Sequence, residues 1–219
     1  PADEPSTQLG DELEMIRRRG HRVISAPDRI AGLEQCPPNS TPIIDGGLGD
    51  PRLRRGYRIA CIDGATPQGR GPFPVGSRRL AWDTLEQVDA VWISNSSPDF
   101  SVPELPSHVP IVRSTMRPVG WLHRGALLPL DAVRGEIDVV VGIANPERFV
   151  CTLLDLNLSI RSVHTVGDHS PLGHIPPRAV MTEKDAARIP VDNDTWALRM
   201  ELQVDGAELV LQQIKEHCP

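Results

Sequence analysis

The sequence is short of several things that common functions require. It has two lysines, Lys184 and Lys215, in 219 residues, and neither follows a glycine-rich turn. No GxxxxGK(S/T) phosphate loop is present in the chain. Basic and acidic residues number 23 and 29, a net charge of −6, which argues against nucleic-acid binding driven by bulk charge. Two basic clusters, Arg17-Arg18-Arg19 and Arg52/Arg54/Arg55, read as solvated helix ends or loops, with a phosphate- or headgroup-facing edge as the functional alternative. The four cysteines, Cys36, Cys61, Cys151 and Cys218, lie far apart and form no metal-type pair. A reducing compartment is the expectation. No apolar stretch approaches the roughly 20 residues that span a bilayer, and no signal peptide is seen. The first residue is Pro rather than Met, so the expectation is a fragment or a processed product.

Aromatics are few and prolines many, 22 in all. The prolines fall between apolar runs and punctuate loops. Residues 10–20 read as a helix with a Gly stop, 21–26 as a short strand, and 28–36 as a helix capped by Asp28. Strands are expected at 42–45, 58–63, 89–94 and 111–116, with an amphipathic segment at 77–88 and a Ser/Pro-rich loop at 96–110. Residues 117–136 read as an irregular junction. A second series follows: strand 137–144, helix 145–157, strand 159–166, strand 178–182, helix 183–189, strand 196–204 and helix 206–217. This alternation predicts an α/β fold of mostly parallel sheets flanked by helices. The expected division is 1–116, a junction at 117–136, and a smaller C-terminal α/β unit at 137–219. Ligands of such sheets sit beyond the carboxyl ends of the strands.

One stretch, TPIIDGGLGD at 41–50, puts Asp45 at the end of an apolar run. Taken alone, Asp-Gly-Gly reads as a tight turn, and as a metal site only with support from elsewhere. That support comes from three blocks further on. GIANPERFVCTLLDLNL (142–158) resembles the GIGNPERFF block of the tetraacyldisaccharide 4′-kinases, the lipid A kinases. VGDHSPLG (166–173) is similar to their FPDHHPF, and VMTEKDAARI (180–189) to their LMTEKDAVK. The first half then fits the same frame. ADEP (2–5) resembles GDEP, VISAPDRIAG (23–32) resembles VVVGRDRxxAG, and 42–63 resembles VIILDDGLQHxxLxRDxxIVVVD. FPVGSRR (73–79) resembles LPAGPLRE, and VDAVWIS (88–94) resembles ADAVVVN. The resemblance covers nearly all of the chain and implies a P-loop-kinase-like core whose phosphate loop lies upstream of the GDEP motif.

The resemblance implies ATP-dependent phosphorylation of the 4′-hydroxyl of tetraacyldisaccharide 1-phosphate. ATP and Mg²⁺ are the implied cofactors, a lipid A precursor disaccharide the implied partner, and the cytoplasmic face of the inner membrane the implied location. No nucleic-acid partner is implied, and oligomeric state is left open. Phosphoryl transfer needs a metal on the phosphates, positive charge on the transferred group and a base at the attacking hydroxyl. By resemblance the base is Asp3, paired with His169, with Glu4 beside it. Asp45 is assigned to the metal and Arg79 to phosphate or substrate. Four positions depart from the family pattern: Gly46 replaces its second acid, Gly49 and Asp50 its Gln-His, and Leu80 the Glu after Arg79. Each removes a group that ligates metal or steadies substrate. A divergent relative without turnover is therefore the alternative to a kinase, and an unrelated doubly wound protein is a third. Thr182 reads as a helix cap, and Asn145-Pro146 as a helix start.

Overall fold

The computed structural model describes residues 10–53, 56–65, 81–96, 100, 105–167, 175–189 and 194–217. In chain order its elements are α1 (Asp11–Arg18), α2 (Arg29–Glu34), β1 (Ile59–Asp63), β2 (Ala90–Ser94), β3 (Ile111–His123), β4 (Ala126–Leu128), β5 (Glu136–Val141), α3 (Pro146–Asp155), β6 (Ser159–Thr165), β7 (Val180–Thr182), α4 (Glu183–Ala186), β8 (Trp196–Asp205) and α5 (Glu208–His217), with short 3₁₀ turns at Gly47–Gly49, Trp82–Gln87 and Leu130–Ala132. The chain forms two compact units. The first comprises Pro1–Ser25 with Arg117–Glu201, and the second Ala26–Met116 with Leu202–Pro219. No helix among the described residues is long and apolar enough to cross a membrane.

In the second unit β1 pairs with β2, and β2 with β3, all parallel, from Ile59 opposite Ala90 to Ser94 opposite Ser114. Ala60, Ile62, Val91 and Ile93 build one core with Leu85, Val88 and Val109. Ala90 and Val112 face the other way, onto Val210 of α5. Parallel strands buried on both faces give such near-continuous apolar runs. Helix α2 starts where Asp28 accepts the N–H groups of Ile30 and Ala31 at 2.9 and 3.3 Å. That satisfies two donors an uncapped helix leaves bare.

In the first unit the strand order is β8-β7-β5-β6, again parallel. Val139, Val141, Phe149, Leu153, Val180 and Leu198 pack its main core around Trp121. Helix α3 begins at Asn145, whose side chain accepts the Arg148 N–H at 3.3 Å, with Pro146 as its first residue. The edge strand β6 is anchored by a carboxylate. Asp138 accepts Arg161 Nε at 3.0 Å and the Ser162 hydroxyl at 2.6 Å, and a second guanidinium nitrogen of Arg161 binds its other oxygen. Arg161 first and Ser162 second hold the Asp138 carboxyl down from 3.8 to about 2. A depressed carboxyl contributes stability that is complete above its unfolded value and disappears as pH falls through its folded value. Asp138→Asn is therefore expected to lower the melting temperature at pH 7, with the gap to the parent closing between pH 4 and pH 2. A gap that stays constant over that range in thermal melts would remove the pair from the account.

Three expectations are corrected. Residues 42–45 form no strand: Ile43 is 99% exposed and Asp45 opens a turn. An apolar run becomes a strand only when a neighbour takes its hydrogen bonds, and β1 pairs with β2 but with nothing on its other side among the described residues. Residues 21–26 likewise carry no strand. Residues 117–136 are not irregular. β3 runs on to His123 and turns back through Arg124 and Gly125 into β4, pairing Trp121 with Leu128 and His123 with Ala126. Both turn residues have positive φ, 49° and 79°, as a two-residue hairpin turn of matching twist demands. Gly120 lets the Leu128 carbonyl approach closer than a Cβ would allow. Residues that looked like breakers are the ones this hairpin requires.

Candidate active site

Three sequence blocks that lie apart in the chain meet at the carboxyl edge of the first unit's sheet. β5 ends at Val141 and leads into Gly142, β6 ends at Thr165 and leads into Val166, and β7 ends at Thr182 and leads into α4. The Val166 N–H donates to the Val141 carbonyl at 3.0 Å. Asp185, fully buried, ties these together. Its carboxylate accepts the Gly142 N–H at 3.1 Å and the Thr182 hydroxyl at 2.7 Å, and it pairs with Arg188. Thr182 in turn caps α4 by accepting the Asp185 N–H at 3.0 Å. A buried carboxylate is tolerable only when fully hydrogen-bonded and paired, and Asp185 meets both conditions.

Gly142 is required for contact rather than for φ. A Cβ there would overlap the Arg188 guanidinium, lie 2.7 Å from Val166 and 3.0 Å from Asp185. Gly142→Ala is expected to destabilise by about 1–3 kcal/mol, as overpacking does. Urea unfolding with the same midpoint as the parent would contradict this. Glu183 also holds the structure together, since it accepts Arg19 Nε at 3.0 Å and Arg199 at 2.8 Å. Asp11, Lys184 and Arg188 extend the charged group, with Lys184 3.8 Å and Arg188 3.9 Å from the Asp11 carboxylate. The segment carrying His169 leaves from Val166-Gly167, but His169 itself lies outside the described residues.

The second unit gathers polar groups at its own carboxyl edge. Asp63 ends β1, and its carboxylate accepts the Asn95 side-chain amide at 3.4 Å and the Ala65 N–H at 3.3 Å. Arg113 on β3 donates to the Ser96 hydroxyl and to the Phe100 carbonyl, both at 2.9 Å. Trp92 donates to the Ser114 hydroxyl at 2.8 Å. Asp45 lies in an exposed turn, with Arg29 donating to its backbone carbonyl at 3.1 Å. At Gly46, φ 66°, a side chain would run into Arg29, 2.8 Å from where its Cβ would stand. Asp50 is engaged within its own turn. It binds Arg52 through both oxygens, at 3.0 and 2.7 Å, and that partner holds its carboxyl at about 2. Partial burial first, and the Asp45 charge second, push up the Cys61 thiol, although the residue as a whole reaches solvent.

Of the residues assigned from sequence, Asp3, Glu4, Arg79 and His169 lie outside the described residues, and Asp45 alone is placed. Among the described residues no three His, Cys, Asp or Glu side chains are grouped around one point, and the Arg29 guanidinium stands beside the Asp45 turn. Sequence reasoning places Asp63, and the acids that follow Thr182, at the carboxyl ends of their strands; what it misses is the pairing of Asp63 with Asn95 and of Asp185 with Gly142, which is tertiary.

Fold and edge geometry together define an α/β protein whose inter-strand loops open at the carboxyl edge of parallel sheets, where such proteins hold ligands. A family model described as Tetraacyldisaccharide-1-P 4′-kinase matches residues 1–218, and the chain belongs to that family. A tetraacyldisaccharide 4′-kinase of Pseudomonas putida is 34% identical over 92% of this chain and 63% of its own length. That of Pseudomonas entomophila is 33% identical over 89% and 60%, and that of Methylobacterium radiotolerans 29% identical over 98% and 69%. The chain thus spans about 60% of the length of the Pseudomonas relatives. A crystal structure of LpxK from Aquifex aeolicus in complex with ATP superposes with a TM-score of 0.66 at 17% identity, over 79% of this chain and 56% of that one. That likeness supports the fold.

Proposed function

We propose that this chain serves the reaction for which its family is named: transfer of the γ-phosphoryl group of ATP to the 4′-hydroxyl of tetraacyldisaccharide 1-phosphate, a lipid A precursor. The single observation behind the proposal is the match of a family model from residue 1 to residue 218. In this reading Asp3 takes the proton of the attacking hydroxyl, His169 holds and relays it, Glu4 lies beside them, and Arg79 faces phosphate. The first unit's share is to fix the root of the His169 segment, through the bond from Val166 to Val141 and the clamp of Asp185 on Gly142. A metal ion, where the family uses one, supplies charge neutralisation at the phosphates, and Asp45 is the residue assigned to it. Work on an acylated disaccharide would place the protein at the cytoplasmic surface of the inner membrane.

One observation favours a second reading, a relative that binds without turnover. Gly46 stands where the family has an acid, Arg29 occupies the adjoining space, and Asp50 is neutralised by Arg52. The test is transfer of labelled phosphate from ATP to a tetraacyldisaccharide 1-phosphate by the 219-residue chain. A chain with no GxxxxGK(S/T) loop is expected to show none above a no-protein control. The decisive arm uses a family member with complete activity, into which Gly46 and Asp50 are introduced. Retained transfer supports the kinase reading. Transfer lost with lipid binding kept supports the second.

A further inference from the structure

Within the first unit, α1, α4, the β3–β4 turn and the start of β8 border a cavity of about 310 Å³ whose described lining includes none of the residues assigned to the reaction above. Its walls are apolar where Met15, Leu122, Ala186, Ile189 and Ala197 line it. Ala197 and Ile189, 3% and 8% exposed, are the buried apolar residues of that lining. Its polar lining is mostly cationic: Arg18, Arg124 and Arg199 face one carboxylate, Glu183. That carboxylate is shared between Arg199 and Arg19. Arg18 donates to the carbonyls of Ala186 and Ala187 at 3.1 and 2.9 Å, which offer dipoles but no charge, and shares Glu14 with Arg17. Arg199 Nε is buried without a hydrogen-bond partner among the described residues. Arg124, at the hairpin tip and 64% exposed, reaches Asp194 only at 3.5 Å. Positive charge therefore exceeds negative around an apolar hollow.

We propose that this cavity binds a single-chain amphiphilic anion of the fatty-acid type, with its carboxylate at Arg124 and Arg18 and its alkyl chain running toward Ile189 and Ala197. The volume is at the low end of small-molecule sites, which suits one chain rather than the paired chains of a phospholipid. Polar groups at the mouth with an apolar floor are the arrangement such a ligand matches. The proposal does not rest on the kinase reading, because it uses none of Asp3, Glu4, Asp45, Arg79 and His169.

The experiment is calorimetric titration of the full chain with decanoate below its micelle concentration, beside decanol and vesicles of anionic phospholipid. Saturable one-to-one binding of decanoate is expected. Arg124→Asn keeps a residue that tolerates positive φ and removes the charge, and should weaken decanoate about tenfold, the size of one charge-assisted hydrogen bond. Decanol should be weaker by a similar factor. Ala186→Met, which fills the hollow from α4, should abolish binding while circular dichroism stays unchanged. Absence of saturable binding, equal affinity for decanol, or insensitivity to Arg124→Asn would overturn the proposal. So would association with vesicles and not with monomeric decanoate.

Discussion

Asp185→Asn is expected to cost about 3–5 kcal/mol, the range for breaking a buried ion pair by removing one partner. The carboxylate is fully buried and takes the Gly142 N–H, the Thr182 hydroxyl and the Arg188 guanidinium. Asparagine fills the same space but presents an amide where a donor already stands. It also leaves Arg188 without its nearest negative charge. In thermal melts followed by circular dichroism the shift should be on the order of 10 °C. A loss under about 1 kcal/mol would mean that the carboxylate does not hold the strand ends together. Because Asp185 and Gly142 touch, the double variant Asp185→Asn/Gly142→Ala should be less damaging than the sum of the singles. The alanine methyl has nowhere to go only while Asp185 and Arg188 are locked in place.

Trp121→Ala is the other large effect, about 3–5 kcal/mol. Trp121 is the largest fully buried side chain of the first unit, and its indole N–H donates to the Leu130 carbonyl at 2.9 Å. Truncation leaves a cavity among Val139, Phe149 and Leu198 and strips that carbonyl of its donor. Trp121→Phe separates the two contributions, since it retains most of the volume and loses the hydrogen bond, at about 1–2 kcal/mol. Equal losses for the two variants in urea unfolding would show that packing around the indole contributes little.

Much of the fold could be read from local signals. Asp28, Asn145 and Thr182 sit where caps are needed, and each accepts the backbone N–H groups a cap should. The apolar runs at 58–63, 89–94 and 137–144 became β1, β2 and β5, because buried parallel strands carry their signal in composition, and the mixed run at 159–166 became the largely exposed edge strand β6. The failures share a cause. The run at 42–45 has strand composition, but whether a strand forms depends on a neighbour that no local pattern reveals. Residues 117–136 carry Pro118, Gly120 and Gly125, which read as punctuation, whereas a hairpin needs Gly120 for close approach and Gly125 for positive φ. The site was legible as motifs and not as geometry. The TEKD block could be read as a helix start, and its Thr is one, but the burial of Asp185 against Gly142 depends on two segments 43 residues apart.

The raised thiol of Cys61 gives the Asp45 turn a chemical clock. Thiolates are the reactive form, so burial first, and the neighbouring Asp45 carboxylate second, slow alkylation of Cys61 by disfavouring its ionisation. Any cation that settles on Asp45 cancels part of that field and quickens the reaction. The rate of labelling at this one cysteine, followed by mass spectrometry of the peptide around it, therefore responds first to how tightly the thiol is packed and second to a cation at the Asp45 turn, without an assay of phosphoryl transfer.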